Sequence, residues 1–168
     1  MNLLRKTSPL SEESREETFA ETSYYNEDGL RKVVPYYFTH NTFAKRRWIG
    51  KILFDILKEE YTLGSDDYIR LMADHGRFSL NMKPINAEDL ESIRIKDGDL
   101  FSSKMHRHEP PITSENVKII EENDKFFVIN KPSSYPIHPV TQYRHNTLIF
   151  ILSRELNKNY HVVHRLDR

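Results

Sequence analysis

The last five residues of the chain contain side chains that could do chemistry. They read His164-Arg165-Leu166-Asp167-Arg168. If this segment is a strand, Arg165 and Asp167 lie two residues apart on one face, which places a cation beside a carboxylate. A neighbouring positive charge favours ionisation of a carboxylate, and an anionic aspartate suits a nucleophile better than a general acid. The same spacing is also that of an ordinary ion pair at a strand end.

A second segment whose side chains could take part in chemistry precedes this one. The run Phe126–Ile129 is apolar and predicts a buried strand. It leads into residues 131–140, which contain Lys131, His138 and three prolines. Because proline fixes φ and lacks an N–H donor, this stretch is predicted to be an irregular loop.

Both segments resemble motifs of one enzyme family, the RluA-type pseudouridine synthases. Phe127-Val128-Ile129-Asn130-Lys131-Pro132 with Ile137-His138-Pro139 is similar to the first motif of the family, and His164 to Arg168 looks like its catalytic motif. The resemblance implies that Asp167 is the catalytic carboxylate. It also implies isomerisation of uridine to pseudouridine in RNA, with no cofactor and no metal. Whether the aspartate attacks the sugar, adds to the base or removes a ribose proton stays open.

The same resemblance implies a set of substrate-binding residues. Arg165 would fill or brace the position of the extruded base and orient Asp167, whereas other side chains would contact phosphates or shape the pocket. The two histidines of this set could equally be loop or core residues. The predicted substrate-binding residues are Arg165, His164, Arg168, Lys131 and His138.

The middle of the chain must position these motifs. Apolar residues from Trp48 to Tyr61 recur every three or four positions and predict an amphipathic helix that ends near Gly64. A second helix is predicted from Ser65 or Asp66 to Gly76, followed by a strand at Phe78 and Leu80. Ile93 and Ile95 predict a strand, and residues 96–99 predict a turn before another strand. Thr147 is predicted to start a third helix.

This middle block resembles the S4-type RNA-binding module. The resemblance rests on residues 74–81 and on the segment from Ile95 to Leu100. We therefore predict an α+β fold, with a small S4-like α/β module followed by the N-terminal part of a mixed, mainly antiparallel catalytic domain. Basic side chains of the module would contact RNA, although a solvated surface is the alternative. They are Arg46, Arg47, Arg70, Arg77 and Lys83.

Two further segments favour a tRNA substrate. Residues 35–38 and 106–111 resemble the fungal tRNA branch of the family, which is associated with uridine 32 of the anticodon loop. His106, His108 and Glu109 are also potential metal ligands, but no third element supplies another ligand nearby, so we predict no metal.

Composition excludes several other classes. The chain has 168 residues, 25 basic and 25 acidic side chains and no cysteine, which rules out disulfide scaffolds and thiolate metal sites. The longest apolar run, Leu148 to Leu152, is too short to span a bilayer. The acid-rich residues 1–34 carry no secretory or mitochondrial targeting pattern and are predicted to form a disordered tail. We expect an intracellular protein that binds RNA and no membrane, in the cytoplasm, with the nucleus or mitochondrion as alternatives.

The resemblance therefore divides the chain into a tail (1–34), the S4-like module (35–108) and a catalytic segment (109–168). Two departures from the family qualify it. Ser134 stands where the family usually has glycine, and serine would be strained there if φ is positive. The family's catalytic domain also continues beyond the aspartate, so we expect a fragment that is inactive by itself. The alternative function is a non-catalytic S4-type RNA-binding protein with a vestigial synthase segment.

Overall fold

A computed structural model describes residues 2–6, 18–61, 64–158 and 160–163. The three longer helices are α1 (Leu53–Tyr61), α2 (Asp66–Asp74) and α3 (Leu148–Leu156), and short 3-10 helices cover Arg46–Trp48 and Ala87–Asp89. The strands are β1 (Asn2–Lys6), β2 (Tyr24–Glu27), β3 (Leu30–Val33), β4 (Tyr36–Phe43), β5 (Phe78–Leu80), β6 (Lys83–Pro84), β7 (Leu100–Arg107), β8 (Ile112–Thr113), β9 (Lys118–Glu122), β10 (Phe126–Asn130) and β11 (Tyr160–Val162).

The chain forms two compact units. Tyr37–His106 form one of them, here called the inserted unit. The described residues before Tyr37 and after His106 form the other, here called the outer unit. The predicted boundaries of the S4-like module, 35–108, differ from those of the inserted unit by two residues at each end.

The inserted unit contains a sheet with strand order β4-β7-β5-β6. Buried side chains of α1, α2, β5 and β7 form its core, with Leu57 and Ile69 completely inaccessible to solvent. Helix α2 begins where the Ser65 hydroxyl accepts a hydrogen bond from the Tyr68 amide at 3.3 Å. It ends before Gly76, whose φ of 65° reverses the chain into β5. The predicted second helix and the strand after it are therefore confirmed.

The outer unit contains two sheets, with strand orders β11-β1-β10-β9 and β2-β3-β8. The strand pairs of both sheets are antiparallel. Phe127 and Ile129 of β10 point into a core that also receives Leu148, Ile151 and Leu152 from α3. The sequence predicted this strand and the helix that begins after Thr147. The predicted mixture of helices and antiparallel strands is thus confirmed.

Three sequence predictions are wrong. The disordered tail is contradicted by β1 and by the β2–β3 hairpin, in which Val33 is buried. Acidic composition misled here because the few apolar residues of this segment find partners in other parts of the chain. The first helix also starts later than predicted, because Gly50 has a φ of 81° and its amide donates to Ile95 O instead. The segment around Ile95 forms only an isolated bridge, Ile52 with Arg94, rather than a strand.

Candidate active site and RNA-contacting residues

Four predicted site residues, His164, Arg165, Asp167 and Arg168, lie outside the described residues. The described chain leads towards them through β11, whose Tyr160 to Val162 pair with β1. Tyr160 is buried, and its ring lies 5.1 Å from that of Phe127 between centroids. The roles of the four residues stay predictions.

Lys131 lies at the start of the loop after β10. Its ammonium donates to the carbonyl oxygens of Pro132 and Tyr135, each at 3.1 Å. The side chain thus closes the loop over its own backbone. These two bonds use two of the three donors of the ammonium.

Ser134 occupies the position at which the family usually has glycine. Its φ is 67°, so the positive φ considered from the sequence is confirmed. The Ser134 hydroxyl accepts a hydrogen bond from the Thr113 amide at 2.9 Å and lies 3.3 Å from the Thr113 hydroxyl. These contacts with β8 offset the cost of a left-handed backbone, which is of the order of 1 kcal/mol for a side chain with a Cβ atom.

The far end of the loop is held by helix α3. The Leu148 amide donates to Pro136 O at 2.8 Å, and the Ile149 amide donates to Ile137 O at 3.1 Å. The first amides of a helix have no partner inside the helix, so the loop carbonyls supply it. His138 follows directly and is half-buried. The loop that contains Lys131 and His138 is therefore fixed to β8 at one point and to α3 at another.

Glu109 organises the backbone just before α3, a role that the sequence did not predict. Only 8% of this residue is exposed, yet its carboxylate accepts four hydrogen bonds. Oε1 accepts from the Tyr36 hydroxyl and the His145 amide, each at 2.8 Å. Oε2 accepts from the amides of Arg144 at 2.9 Å and Asn146 at 2.8 Å. Three consecutive amides thus converge on one buried anion, which determines the direction in which the chain enters α3.

A buried histidine completes this cluster. His145 is inaccessible to solvent, and burial lowers its pKa to about 4. Nε2 lies 3.1 Å from the Glu21 carboxylate, which can only accept, and 3.3 Å from Arg144 Nη1, which can only donate. The Nδ1 atom is buried and has no hydrogen-bond partner among the described residues. Glu109 was considered as a metal ligand from the sequence, but here it binds amides.

The predicted RNA-contacting cations differ in what they already contact. Arg47 donates to Glu60 Oε2 at 2.6 Å, and Arg70 donates to Glu91 at the same distance. Arg77 lies over the ring of Tyr37. Arg46 is exposed in a 3-10 helix, and Lys83 is exposed in β6.

Glu60 neutralises the charge of Arg47. Arg47, and with it Trp48 and Lys45, donates to its carboxylate, which lowers the pKa of Glu60 to about 2. A cation that is already paired gains less from binding a phosphate, because the existing ion pair must be given up. The sequence could not show this, since Glu60 is 13 residues away from Arg47, near the C-terminal end of helix α1.

Metal-ligand clusters and membrane-spanning helices are both absent from the described part of the chain. No three His, Asp or Glu residues there lie close enough together to hold a metal ion. None of the helices in the same residues combines the length and the apolar character that crossing a bilayer requires.

Comparison with known proteins finds relatives that are named pseudouridine synthases. The human protein named pseudouridylate synthase RPUSD2 is 47% identical over 91% of this chain and 28% of its own length. The Saccharomyces cerevisiae protein named mitochondrial tRNA pseudouridine(32) synthase is 40% identical over 83% of this chain and 29% of its own length. Another protein of that yeast, named tRNA pseudouridine(31) synthase, is 34% identical over 76% of this chain and 36% of its own length.

The chain thus spans between 28% and 36% of the length of these three relatives. No family model and no solved structure matches it. Identities of this size over most of the chain nevertheless establish common descent with proteins that are named for one activity. This segment is therefore similar to part of proteins that are named pseudouridine synthases.

Proposed function

We propose that the protein carrying this segment isomerises uridine to pseudouridine in RNA, with Asp167 as the catalytic carboxylate. The observation that carries the proposal is the 47% identity, over 91% of this chain, to a protein named as a pseudouridylate synthase. The two motifs of the sequence, around Lys131 and around Asp167, support it because they occur in the order that the family resemblance requires.

The reaction constrains what the site must do. The bond between C1′ and N1 breaks, the uracil ring turns, and C5 bonds to C1′, while a proton leaves C5 and another is taken up at N1. Atoms and electrons balance without an oxidant or a reductant. The protein must therefore supply an ionised carboxylate near the ribose, a pocket that admits an extruded base and groups that retain the detached ring.

The described residues would contribute by positioning. The loop with Lys131 and His138 is joined to α3 through the carbonyls of Pro136 and Ile137, and the backbone before α3 converges on Glu109. We infer that this framework holds Lys131 and His138 towards the substrate. It leaves the chemical step to Asp167, with Arg165 oriented beside it, and phosphate contacts to Lys131 and Arg168.

The proposed substrate is a tRNA, at a uridine of the anticodon loop. One yeast relative is named for position 32 of tRNA and another for position 31, which supports the substrate class more firmly than the position. A loop nucleotide costs less to extrude than a paired one, since no stem must be opened. The inserted unit would act as an S4-type RNA-binding module. We place the protein inside the cell, in the cytoplasm, nucleus or mitochondrion, where such substrates occur.

The test measures release of tritium from tRNA labelled at C5 of uridine. It uses the protein encoded by the complete reading frame that contains this segment, together with its Asp167→Asn variant. Asparagine keeps the size of the side chain but cannot ionise, so turnover should fall below detection while tRNA affinity stays within about twofold. Turnover by the variant at the wild-type rate would refute the assignment of Asp167.

A matched variant controls for the loss of charge. Asp124→Asn changes an exposed aspartate in the turn between β9 and β10 and should leave turnover unchanged. If the complete wild-type protein binds tRNA but releases no tritium, the non-catalytic RNA-binding function is favoured instead.

A further inference from the structure

One face of the sheet in the inserted unit is open and carries cations. In the register of β5 with β7, Phe78 is opposite Ser103, and both are buried. The Lys104 amide donates to Arg77 O at 2.7 Å, so these two residues are also neighbours. Because side chains alternate along a strand, Lys104 and Arg77 lie on the face opposite to the core.

Tyr37 of β4 lies at the centre of these cations. Half of this residue is exposed. The guanidinium carbon of Arg77 lies 4.4 Å from the ring centroid, and Lys104 Nζ lies 5.3 Å from it. The ring of His106 is 4.9 Å away between centroids, and Arg77 Nη2 donates to the Tyr37 hydroxyl at 3.1 Å. We call Tyr37, Arg77, Lys104 and His106 the Tyr37 patch.

The charge of this face differs from that of the helical side. Strands β4, β5 and β7 contain no aspartate or glutamate. By contrast, cations on and next to the helices are neutralised by carboxylates. The pairs are Arg47 with Glu60, Lys51 with Glu59, Lys58 with Asp66 and Arg70 with Glu91. Among the described residues no carboxylate forms a salt bridge with Arg77 or Lys104, so a polyanion would meet these two cations without displacing one.

The chemistry of the patch selects the ligand. An exposed aromatic ring beside arginine and lysine is the arrangement with which proteins bind single-stranded nucleic acid, because a base stacks on the ring and its phosphates meet the cations. Arg77 adds a planar guanidinium on which a base can also stack. A duplex hides its bases from such a ring.

We propose that the Tyr37 patch binds single-stranded RNA, with one unpaired base stacked on Tyr37 and the adjacent phosphates contacted by Arg77 and Lys104. The inference rests on the proposed function only in the choice of RNA as the polyanion. It changes the sequence-based assignment, since the RNA contact moves from Arg47 and Arg70 to the sheet.

The test measures the affinity of the 168-residue chain for a fluorescent oligouridylate of ten nucleotides by anisotropy, and for an RNA duplex of equal length. Tyr37→Ala should weaken binding of the single strand by about 5- to 150-fold, the range that loss of one base–aromatic stack gives. Affinity for the duplex should change by less than about twofold. Tyr68→Ala is the matched control, because Tyr68 of α2 is similarly exposed but lies outside the patch.

Two variants separate stacking from folding and from the hydroxyl group. Tyr37→Phe keeps the ring and should bind within about twofold of wild type. Tyr37→Leu keeps apolar bulk without a ring and should bind as weakly as Tyr37→Ala, so it replaces that variant if Tyr37→Ala fails to fold. Circular dichroism at the assay temperature reports folding.

The dependence on salt tests the phosphate contacts. Lys104→Gln should reduce the slope of log K against log salt concentration by about 0.7, as one lost contact with a single strand does. Lys51→Gln, whose lysine is also exposed but paired with Glu59, should leave the slope unchanged.

The inference is overturned if the wild-type chain does not bind the oligonucleotide or if Tyr37→Ala binds it like wild type. It is also overturned if this variant loses affinity for the single strand and for the duplex equally. Each of these results leaves the proposed function standing when the complete protein still releases tritium. Loss of turnover in the complete wild-type protein, with the Tyr37 effect intact, would reject the proposed function alone.

Discussion

Replacing Glu109 by glutamine tests how the chain enters α3. The two side chains have nearly the same shape, so packing is preserved and only the acceptor chemistry changes. Oε1 and Oε2 of Glu109 each accept two hydrogen bonds, three of them from the consecutive amides of residues 144–146. The amide of glutamine has one oxygen. Its nitrogen cannot accept: beside the Tyr36 hydroxyl it can donate instead, but the His145 amide then loses its acceptor.

The magnitude follows from these contacts. Hydrogen bonds to a charged group contribute about 1.5–3 kcal/mol each and neutral ones about 0.5–1.5 kcal/mol, so losing one bond and the charge in the other three gives roughly 3–6 kcal/mol. A neutral amide is less costly to bury than a carboxylate, which favours the lower end of this range. Because a domain is stable by only about 5–15 kcal/mol, Glu109→Gln should remove much of the free energy of unfolding of the outer unit.

Urea denaturation followed by circular dichroism measures this loss, and hydrogen exchange of amides 144–146 locates it. Tyr36→Phe removes one bond of the four and should cost about 1.5–3 kcal/mol. Glu121→Gln, an exposed glutamate of β9, is the matched control and should cost less than about 0.5 kcal/mol. A Glu109→Gln variant within about 1 kcal/mol of wild type, with unchanged exchange, would refute the role of this carboxylate.

Three further predictions concern stability and are measured by urea or thermal unfolding. Ser134→Ala loses its bonds to Thr113 but keeps φ at 67°, so it should cost about 1–2 kcal/mol, whereas Ser134→Gly relieves the backbone and should cost about 1 kcal/mol less. Burial lowers the pKa of His145 from 6.5 to about 4, so its stabilising effect is complete above pH 6.5 and disappears as the pH falls towards 4. Wild type should lose up to about 3 kcal/mol over this interval relative to the pH profile of His145→Gln; parallel profiles would contradict this. Ser65→Ala removes the cap of α2 and should cost about 0.5–2 kcal/mol, with no change if Tyr68 N is not bound to it.

Local sequence patterns predicted the elements that are recognisable from residues close together in the sequence. Helix α3 follows Thr147 because its apolar residues recur at helical spacing, and β10 follows from a short apolar run bounded by turn residues. Ser134 is the clearest case at the candidate site, since the absence of glycine raised the question of a positive φ that the structure answers.

Other features depend on partners far along the chain, so no local pattern could show them. Residues 24–33 are too polar to fold alone, but Val33 is buried and Arg31 pairs with Ile112 of β8. Glu109 occurs in a segment noted for potential metal ligands, and its real partners, the amides of residues 144–146, carry no side-chain signal. The cations near the helices looked available because their partners, such as Glu60 and Glu91, are distant in sequence.

The order of segments along the polypeptide has a kinetic consequence. Leu30 of β3 pairs with Thr113 of β8, and the whole of Tyr37–His106 intervenes between them. The ends of that intervening stretch meet within its own fold, since the rings of Tyr37 and His106 are 4.9 Å apart. Once it has folded, the loop that β3 and β8 must close shortens roughly sixfold, which lowers the entropic cost by about 1.5 kcal/mol. Early folding of the intervening stretch during synthesis should therefore accelerate assembly of the strands on either side of it.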